Sequence, residues 1–406
     1  KYFIEALLET GKYKFVCLGG AIQHSDYTPM KIEPWGDDWQ IFPVDGYGNP
    51  DTIRSIMRKE KPDALWFMTD PRFYVWLWEI ENEIRANMPM VYYHVWDNFP
   101  APKFNGKFYR STDEVACISK VTHSILQQVA PDVPSYYLPH AVDSSVFRKL
   151  KDPESIKQIE AVKEQLFSPF KKSKIYNSNK KVFFWNNRNA RRKQSGTLIF
   201  WFKQFLDSVG HDQACLVMHT DARDPHGQDL PHIIEELNLT DGQVLLSTAK
   251  VSPEELAVLY NTADFTINIS DAEGFGLATL ESLSCGTPII VNMTGGLQEQ
   301  VTDGKNWFGW GIQPSSKAVI GSLEVPYIYE DRINQDDFVD TLTKALNLSD
   351  AKYKKMALQG REHVKKNYNF ELYKQAWVKL MDDVIEKHGS WENRKIYNRW
   401  HLLEVA

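Results

Sequence analysis

A strand–loop–helix–strand segment between residues 263 and 292 constrains the fold of this chain most strongly. Apolar stretches at 263–269 and 288–292 are typical of strands, and a Gly-x-Gly turn between them leads into a short helical run that ends at Gly286. In α/β proteins a helix that begins just after a strand points its free N–H groups at an anion. The segment therefore predicts an α/β fold with an anion site at the turn.

Two glutamates flank this turn with seven residues between them. Glu273 is expected in the loop above the strand end, and Glu281 about two turns into the helix. A glutamate pair at this spacing is by itself a weak signal. An ordinary βαβ unit with solvated helix charges explains each residue singly, but it does not explain the joint pattern.

A second polar cluster follows another predicted buried strand, at 182–186. Arg188 comes directly after that strand, Lys193 lies five residues further on, and a helical stretch begins near residue 197. A basic cluster alone is usually a solvated loop, but this one follows a buried strand in the same half of the chain as the glutamates. The neighbouring Arg191 and Arg192 leave open which two cations act.

The run from residue 270 to residue 304 resembles the GT4 family of retaining glycosyltransferases. The family pattern places Gly-Phe-Gly inside the glutamate pair, then a Gly-x-Pro, then a Gly-Gly…Glu…Val…Asp-Gly tail, and the chain has each part. An Arg followed by a Lys five residues later is also similar to the family. The resemblance implies a GT-B fold, which is α/β with two Rossmann-like domains whose parallel sheets face an interdomain cleft.

The resemblance also implies roles for individual residues. Arg188 and Lys193 are expected to stabilise the leaving diphosphate, Glu273 to bind the transferred sugar, and Glu281 to accept hydrogen bonds from the ribose hydroxyls. The remaining residues expected to bind the donor are Asn187, Gly274, Phe275, Gly276 and Leu277.

His94 is a further catalytic candidate, because it heads a loop after the predicted strand 90–93 and is expected to face the cleft. Asp97 competes for the same role.

The domain prediction has three parts. An N-terminal acceptor-side domain covers residues 1–170, a donor-binding domain covers 171–386, and a helix at 387–406 crosses back to the first domain. The chain opens on a helix that ends at Gly11, so comparison with the family predicts that the first strand and its glycine-rich loop lie outside this numbering. The alternative takes 15–18 as that first strand and Gly19-Gly20 as its loop.

Composition limits the partners. The net charge of −6 argues against a nucleic-acid binder, and four scattered cysteines without metal spacing predict reduced thiols in a cytoplasmic protein. No apolar run has membrane-spanning length, and no Asp-x-Asp occurs. We therefore expect no metal and no cofactor, with a UDP- or GDP-sugar as the donor. Lys103, Lys107 and Arg110 are candidates for peripheral contact with a membrane or an anionic acceptor, although a solvated face also explains them.

The predicted function is metal-independent retaining transfer of a hexose from a nucleotide-diphosphate sugar to a glycan, lipid or other hydroxyl acceptor. The rivals are a nucleotide-sugar epimerase, a non-catalytic carbohydrate-binding scaffold, and a DNA-base glucosyltransferase. A sugar phosphorylase would need a cofactor lysine motif that the sequence lacks. The sequence leaves the acceptor and the oligomeric state open.

Overall fold

The computed structural model describes residues 1–20 and 24–400, and the chain forms two compact units. The first unit consists of Lys1–Pro139, Gly321–Ile328 and the chain from Phe370 onward. The second unit consists of His140–Ile320 and Tyr329–Asn369.

The strands in the described part of the chain lie in four sheets. The described strands are β1 (Phe15–Gly19), β2 (Met30–Ile32), β3 (Gly36–Pro43), β4 (Leu65–Met68), β5 (Met90–His94), β6 (Glu114–Cys117), β7 (Ser135–Tyr137), β8 (Lys181–Asn186), β9 (Ala214–His219), β10 (Val244–Ser247), β11 (Phe265–Asn268), β12 (Ile289–Asn292), β13 (Gly309–Ile312), β14 (Ser316–Ile320) and β15 (Ile328–Arg332).

Helices connect most of these strands. The described α-helices are α1 (Tyr2–Leu8), α2 (Pro50–Glu60), α3 (Val75–Glu79), α4 (Glu81–Arg85), α5 (Gly106–Arg110), α6 (Lys120–Val129), α7 (Pro153–Phe167), α8 (Ser195–Val209), α9 (Leu230–Glu236), α10 (Pro253–Thr262), α11 (Leu277–Ser284), α12 (Leu297–Val301), α13 (Gln335–Leu346), α14 (Asp350–Asn367) and α15 (Phe370–His388). Short 3-10 turns occupy Pro71–Tyr74, Lys103–Asn105, Ser168–Phe170, Arg191–Lys193 and Trp391–Asn393.

The second unit is built on a six-stranded parallel sheet with the order β10-β9-β8-β11-β12-β13. Its central strands are apolar on both faces, as expected for a parallel sheet covered by helices on each side. On one face Phe183 of β8 packs against Phe202 of α8, and on the other face Phe184 packs against Tyr260 of α10. Because β8, β11 and β12 are neighbours, the loops that follow them meet at one edge of the sheet.

The first unit contains two separate sheets. One has the order β1-β3-β2, and the other is the parallel sheet β4-β5-β6-β7. In β5 every residue is buried, because its apolar side chains pack on both faces of the sheet. The segment between β4 and β5 is not one continuous helix, since a 3-10 turn precedes α3 and a break at Ile80 separates α3 from α4.

The structure moves the predicted domain boundary at residue 170 to an earlier position, after Pro139. The charged stretch beyond residue 148 had the composition of a linker, but much of it is α7, which Asp152 caps at its N-terminus. This stretch is tied into the second unit, because Asn261 of α10 binds the backbone of Arg148 and Leu150.

The predicted C-terminal helix at 387–406 is also corrected. The chain returns to the first unit from Phe370, and its helix is α15, which ends at His388. Gly389 has a φ of 58° and cannot continue a helix, so a single 3-10 turn follows and no helix extends through residue 400. Residues 401–406 lie outside the described part of the chain.

The predicted absence of the family's first strand stays a prediction. The alternative placed that strand at 15–18, where β1 is found, but part of its expected loop, residues 21–23, is outside the described residues. In the described ranges, no helix has the length and apolar character needed to cross a membrane.

Candidate active site

The candidate site of the second unit lies where three loops leave the carboxyl ends of adjacent strands. The loop after β8 carries the basic cluster, the loop after β11 carries Glu273, and the loop after β12 carries Gly295 and Gly296. The first two loops are joined directly, since the amide of Asp271 donates to the carbonyl of Arg192 over 2.9 Å. Residues distant in sequence are therefore held together by backbone as well as by side chains.

Glu273 is buried and paired with cations. Its Oε2 accepts from Nζ of Lys193, which is also buried, and Nη1 of Arg192 lies 3.9 Å from the same oxygen. Burial alone would raise the pKa of Glu273, but the charges of Lys193 and Arg192 outweigh it and hold the pKa below its ordinary value. Glu273 is therefore an ionised carboxylate at neutral pH.

Tight backbone contacts fix the position of Glu273. A Cβ on Gly295 would lie 1.8 Å from the Glu273 carbonyl oxygen, so a side chain there would force the two loops apart. The amide of Gly296 donates to the same carbonyl over 2.9 Å. Gly276, which precedes α11 with a φ of 94°, packs against the Glu273 side chain. The carboxylate stem of Glu273 is thus held against the N-terminus of α11.

Glu281 occupies a different environment, on α11 itself. Its Oε2 accepts a hydrogen bond of 2.7 Å from the hydroxyl of Tyr260, which accepts in turn from the side-chain amide of Asn186 over 2.9 Å. Burial raises the pKa of Glu281 to about 7, and the hydrogen bond from Tyr260 offsets only part of that rise. Glu281 therefore changes its charge near neutral pH.

Arg188 lies on the exposed side of the basic loop, away from Glu273. Its guanidinium makes bonds of 2.6 and 3.1 Å to both carboxylate oxygens of Asp224, and a contact of 2.9 Å to Nδ1 of His226. The bond from Arg188 holds the pKa of Asp224 well below its ordinary value. Of the two cations predicted from spacing, Lys193 lies at Glu273 and Arg188 is turned to Asp224, while Arg192 takes the second position at Glu273.

Asn189 fastens the basic loop to the loop at 222–228. Its buried side chain accepts from the hydroxyl of Ser195 over 2.6 Å and donates to the carbonyl of Gln228 over 2.7 Å. A Cβ on Gly227 would lie 2.1 Å from the Asn189 carbonyl oxygen, so the two loops touch backbone to backbone. This clamp keeps Asp224 within reach of Arg188.

Ion pairs and hydrogen bonds of neighbouring residues hold the loops of the site in place. Arg191 makes two bonds to Glu330, of 2.8 and 2.6 Å, and Gln194 donates to Asp271 over 2.5 Å. Burial raises the pKa of Asp271 to about 6, although the hydrogen bond from Gln194 and the charge of Arg332 favour its ionised form. These residues hold the loops that carry Lys193 and Glu273.

The other predicted donor residues lie at the start of α11, except for Asn187, which follows β8. Phe275 is buried, with its ring 5.9 Å from that of Tyr368, so it packs into the unit. Leu277 is exposed, and Gly274 is half-buried. The side-chain nitrogen of Asn187 is buried and has no hydrogen-bond acceptor within the described part of the chain.

His94 is not at the head of a loop, so that part of its prediction is wrong. It is the last residue of β5, it is fully buried, and its Nε2 lies 2.8 Å from the hydroxyl of Tyr109. Burial lowers the pKa of His94 to about 3, so the imidazole is neutral. The strand runs one residue further than predicted, because His94 pairs with Cys117 of β6 and its carbonyl accepts from the amide of Ile118 over 3.1 Å. Asp97 is half-buried in the following loop.

Sequence reasoning missed two contacts of the site. Arg192 was named only as a competitor of Arg188, and Tyr260 was not assigned to Glu281. Tyr260 lies on α10, before the strand that leads to Glu273, and its spacing carries no signal by itself. Over residues 1–20 and 24–400, no group of three or more His, Cys, Asp or Glu side chains is arranged to hold a metal ion.

Comparison with known proteins shows which family and which solved structures this chain is similar to. Residues 168–363 match the family described as "Glycosyl transferases group 1". The alpha-monoglucosyldiacylglycerol synthase of Streptococcus pneumoniae is 28% identical over 196 residues, which are 48% of this chain and 41% of that protein. The chain thus spans about two fifths of the length of this relative.

Two solved structures share the fold over most of their length. Sucrose-phosphate synthase from Thermosynechococcus elongatus has a TM-score of 0.70 at 16% identity and covers 94% of this chain and 92% of its own. Anabaena Alr3699/HepE, solved in complex with UDP-glucose, has a TM-score of 0.65 at 16% identity, with coverages of 86% and 87%. Residues 168–363 are similar to the glycosyl transferases group 1 family, and the fold of the chain is GT-B.

Proposed function

We propose that the chain is a retaining glycosyltransferase that moves a sugar from a nucleotide-diphosphate sugar to a hydroxyl acceptor without a metal ion. The observation that supports this most is the pairing of buried Glu273 with buried Lys193 and with the partly exposed Arg192, beside the first turn of α11. Two cations balance one carboxylate there, so a net positive charge remains for an anion. The first N–H groups of α11 have no helical acceptors and add to the same field.

The leaving diphosphate is the anion that this cluster suits. Breaking the anomeric C–O bond builds negative charge on the diphosphate, and fixed cations in a desolvated site stabilise that charge better than water does. In the proposed complex Lys193 and Arg192 face the diphosphate. Arg188 joins them by leaving Asp224, because its guanidinium is exposed and its partner is a surface loop.

The two glutamates then bind the two ends of the donor. Glu273, held as a carboxylate, accepts hydrogen bonds from the transferred sugar and orients its anomeric carbon. Glu281 accepts from the ribose hydroxyls when it is ionised. Each such charge-assisted bond contributes roughly 1.5–3 kcal/mol. Glu273 is assigned to binding and not to nucleophilic attack, and the leaving phosphate takes the proton of the acceptor.

A UDP-sugar is the first donor to examine. A structure of the same fold has been solved with UDP-glucose bound, although its identity of 16% carries the fold alone. We infer a glycan or lipid hydroxyl as the acceptor class, since the relative with 28% identity is named as a glucosyldiacylglycerol synthase. Cytoplasmic location and peripheral membrane contact stay predictions.

The test is a calorimetric screen of the full chain against UDP- and GDP-sugars, followed by turnover of the tightest binder with and without acceptor. We expect one nucleotide sugar to bind in EDTA-treated buffer and to be slowly hydrolysed, with retention at the anomeric carbon. Release of an altered free sugar would favour the epimerase. Binding with no turnover would favour the scaffold, and binding of duplex DNA in place of a nucleotide sugar would contradict the proposal.

A further inference from the structure

Strand β15 of the second unit contacts all three loops of the candidate site. Glu330 accepts two hydrogen bonds from Arg191, in the loop after β8. The amide of Asp331 donates to the carbonyl of Asp271, in the loop after β11, over 3.0 Å. The carboxylate Oδ2 of Asp331 accepts from the hydroxyl of Thr294, in the loop after β12, over 2.8 Å. Two consecutive residues of one strand therefore join the three loops.

Backbone hydrogen bonds continue from β15 through two of these loops. The amide of Asp331 bonds to the carbonyl of Asp271, and the amide of Asp271 bonds to the carbonyl of Arg192. Asn292, the last residue of β12, adds a side-chain link, since its amide nitrogen donates to the carbonyls of Ser270 and Asp331 over 2.9 and 3.0 Å. β15 is thereby fixed in position relative to the loop after β11 and to the basic turn after β8.

The carboxylate of Asp331 acts on the third loop through Thr294. Thr294 is buried, so its hydroxyl needs an acceptor, and the carboxylate of Asp331 accepts its proton. Gly295 and Gly296 follow directly, and their backbone packs against the carbonyl of Glu273. Without that acceptor a buried hydroxyl would be left unpaired, and the turn formed by these three residues would relax away from Glu273.

Alternating charges hold β15 itself in place. Arg191 and Arg332 both bond to Glu330, with Nη2 of Arg332 at 3.2 Å, and Nε of Arg332 lies 3.1 Å from the carboxylate of Asp271. Glu330 is buried, so its charge depends on these two guanidinium groups. An element that is fixed in this way positions a site residue more precisely than a loop does.

We propose that Asp331 is a positioning residue for sugar transfer. Its carboxylate holds Thr294, and through it the turn at Gly295 and Gly296, so that Glu273 meets the transferred sugar in one orientation. The inference rests on the proposed function, in which Glu273 binds that sugar. Other residues bind the diphosphate and the ribose, so loss of the Asp331 carboxylate should slow the reaction of bound donor more than it weakens binding. A misplacement of about 1 Å can cost roughly 10²-fold in rate.

Two substitutions of Asp331 separate its hydrogen bond from its charge. Asn keeps an oxygen that accepts from Thr294, whereas Ala keeps none. We expect Asp331→Ala to lower kcat about tenfold or more and Asp331→Asn to retain about half of the wild-type kcat or more. Steady-state kinetics of the full chain, with the nucleotide sugar that the wild type turns over, is the measurement. Calorimetry with UDP and GDP should show nucleoside diphosphate affinities within about twofold of the wild type in both variants, because the contacts to the diphosphate remain.

Thr294 provides an independent arm of the test. Thr294→Val keeps the shape of the side chain and loses the hydroxyl, so it should lower kcat as Asp331→Ala does. Thr294→Ser keeps the hydroxyl and should retain activity. The double variant of Asp331→Ala and Thr294→Val should lose no more than the more impaired single variant, because both substitutions remove the same interaction.

Asp264→Ala is the matched control for a loss of stability. Asp264 is half-buried like Asp331, and its carboxylate accepts from the amide of Val182 over 2.9 Å and from Nζ of Lys181 over 3.0 Å. It joins β8 and β11 at their amino-terminal ends, whereas the site loops follow their carboxyl ends. We expect Asp264→Ala to lower the thermal midpoint and to leave kcat unchanged.

Three outcomes would overturn the inference and leave the proposed function standing. The first is wild-type kcat in Asp331→Ala. The second is an equal loss in Asp331→Asn and Asp331→Ala, which would mean that the charge of Asp331 acts and not its bond to Thr294. The third is an equal loss in Asp264→Ala, which would reduce the effect to stability. If the wild type turns over no nucleotide sugar, the proposed function fails and this inference fails with it.

Discussion

Glu273 and Glu281 flank the same turn and are both largely removed from water, but their electrostatic environments are opposite. Glu273 has Lys193 and Arg192 beside it, so its pKa is lowered despite burial. Glu281 has the neutral hydroxyl of Tyr260, so burial raises its pKa to about 7. A carboxylate beside cations is fixed in charge, and one beside a hydroxyl can change its charge when a ligand binds. The spacing of the two residues does not distinguish these cases.

The largest effect is expected from removing the cation of Glu273. Lys193→Ala should lower turnover by roughly 10²-fold or more, because the leaving diphosphate loses a fixed positive charge. Glu273 would also be left buried without its main partner, which costs about 3–5 kcal/mol of stability. Steady-state kinetics and denaturant unfolding measure the two effects. Lys203→Ala, which removes a partly exposed i,i+4 ion pair on α8, is the control and should change neither.

The next effect concerns Arg188. If it leaves Asp224 to bind the diphosphate, Arg188→Ala should lower turnover by roughly 10²-fold, whereas Asp224→Ala should retain most of the activity. Turnover of both variants at saturating donor is the measurement. Equal losses in the two variants would mean that Arg188 only holds the loop at 222–228, and near-normal turnover in Arg188→Ala would remove it from the mechanism.

Glu281→Gln should change donor affinity and folding stability in opposite directions. The amide loses a charge-assisted acceptor worth roughly 1.5–3 kcal/mol, so donor affinity should fall by about tenfold or more. The raised pKa of Glu281 means that the folded state keeps a proton that the unfolded chain releases. The wild type therefore loses stability as the pH rises from the ordinary carboxyl pKa towards about 7. Glutamine has no such loss, so the variant should melt higher than wild type at pH 8 and bind more weakly.

The smallest effect is the pH dependence of donor affinity. Because Glu281 ionises near pH 7, affinity for a nucleotide sugar should rise several-fold between pH 6 and pH 8. Tyr260→Phe removes a hydrogen bond to the carboxylate, so it should move the rise to higher pH. Calorimetry across this range measures both. A pH-independent affinity in the wild type would contradict the role assigned to Glu281.

The sequence predicted the central part of the second unit because several local signals agree there. The apolar runs became β8, β11 and β12, and the helix after the Gly-x-Gly turn became α11. These elements depend on periodicity and turn chemistry, which act over a few residues.

The remaining features depend on contacts between distant residues. Arg188 points away from Glu273 because it pairs with Asp224, which lies 36 residues later in the chain. The sequence alone does not show that these two charged residues pair. Burial inside the first unit keeps His94 neutral, and Tyr109 provides a hydrogen-bond partner there. From the sequence alone, a histidine after an apolar strand is equally compatible with an exposed loop. The charged composition of α7 is also typical of a linker, and only its contacts in the structure show that it belongs to the second unit.

The central claim is that Lys193 and its neighbours bind the diphosphate of the donor. Its most direct test compares the affinities of UMP and UDP, and of GMP and GDP, for the wild type and for Lys193→Ala by calorimetry. For the base that binds, we predict that the second phosphate improves affinity at least tenfold in the wild type and that this gain is largely lost in the variant. The same gain in both proteins would contradict the account, since the diphosphate would then be bound elsewhere.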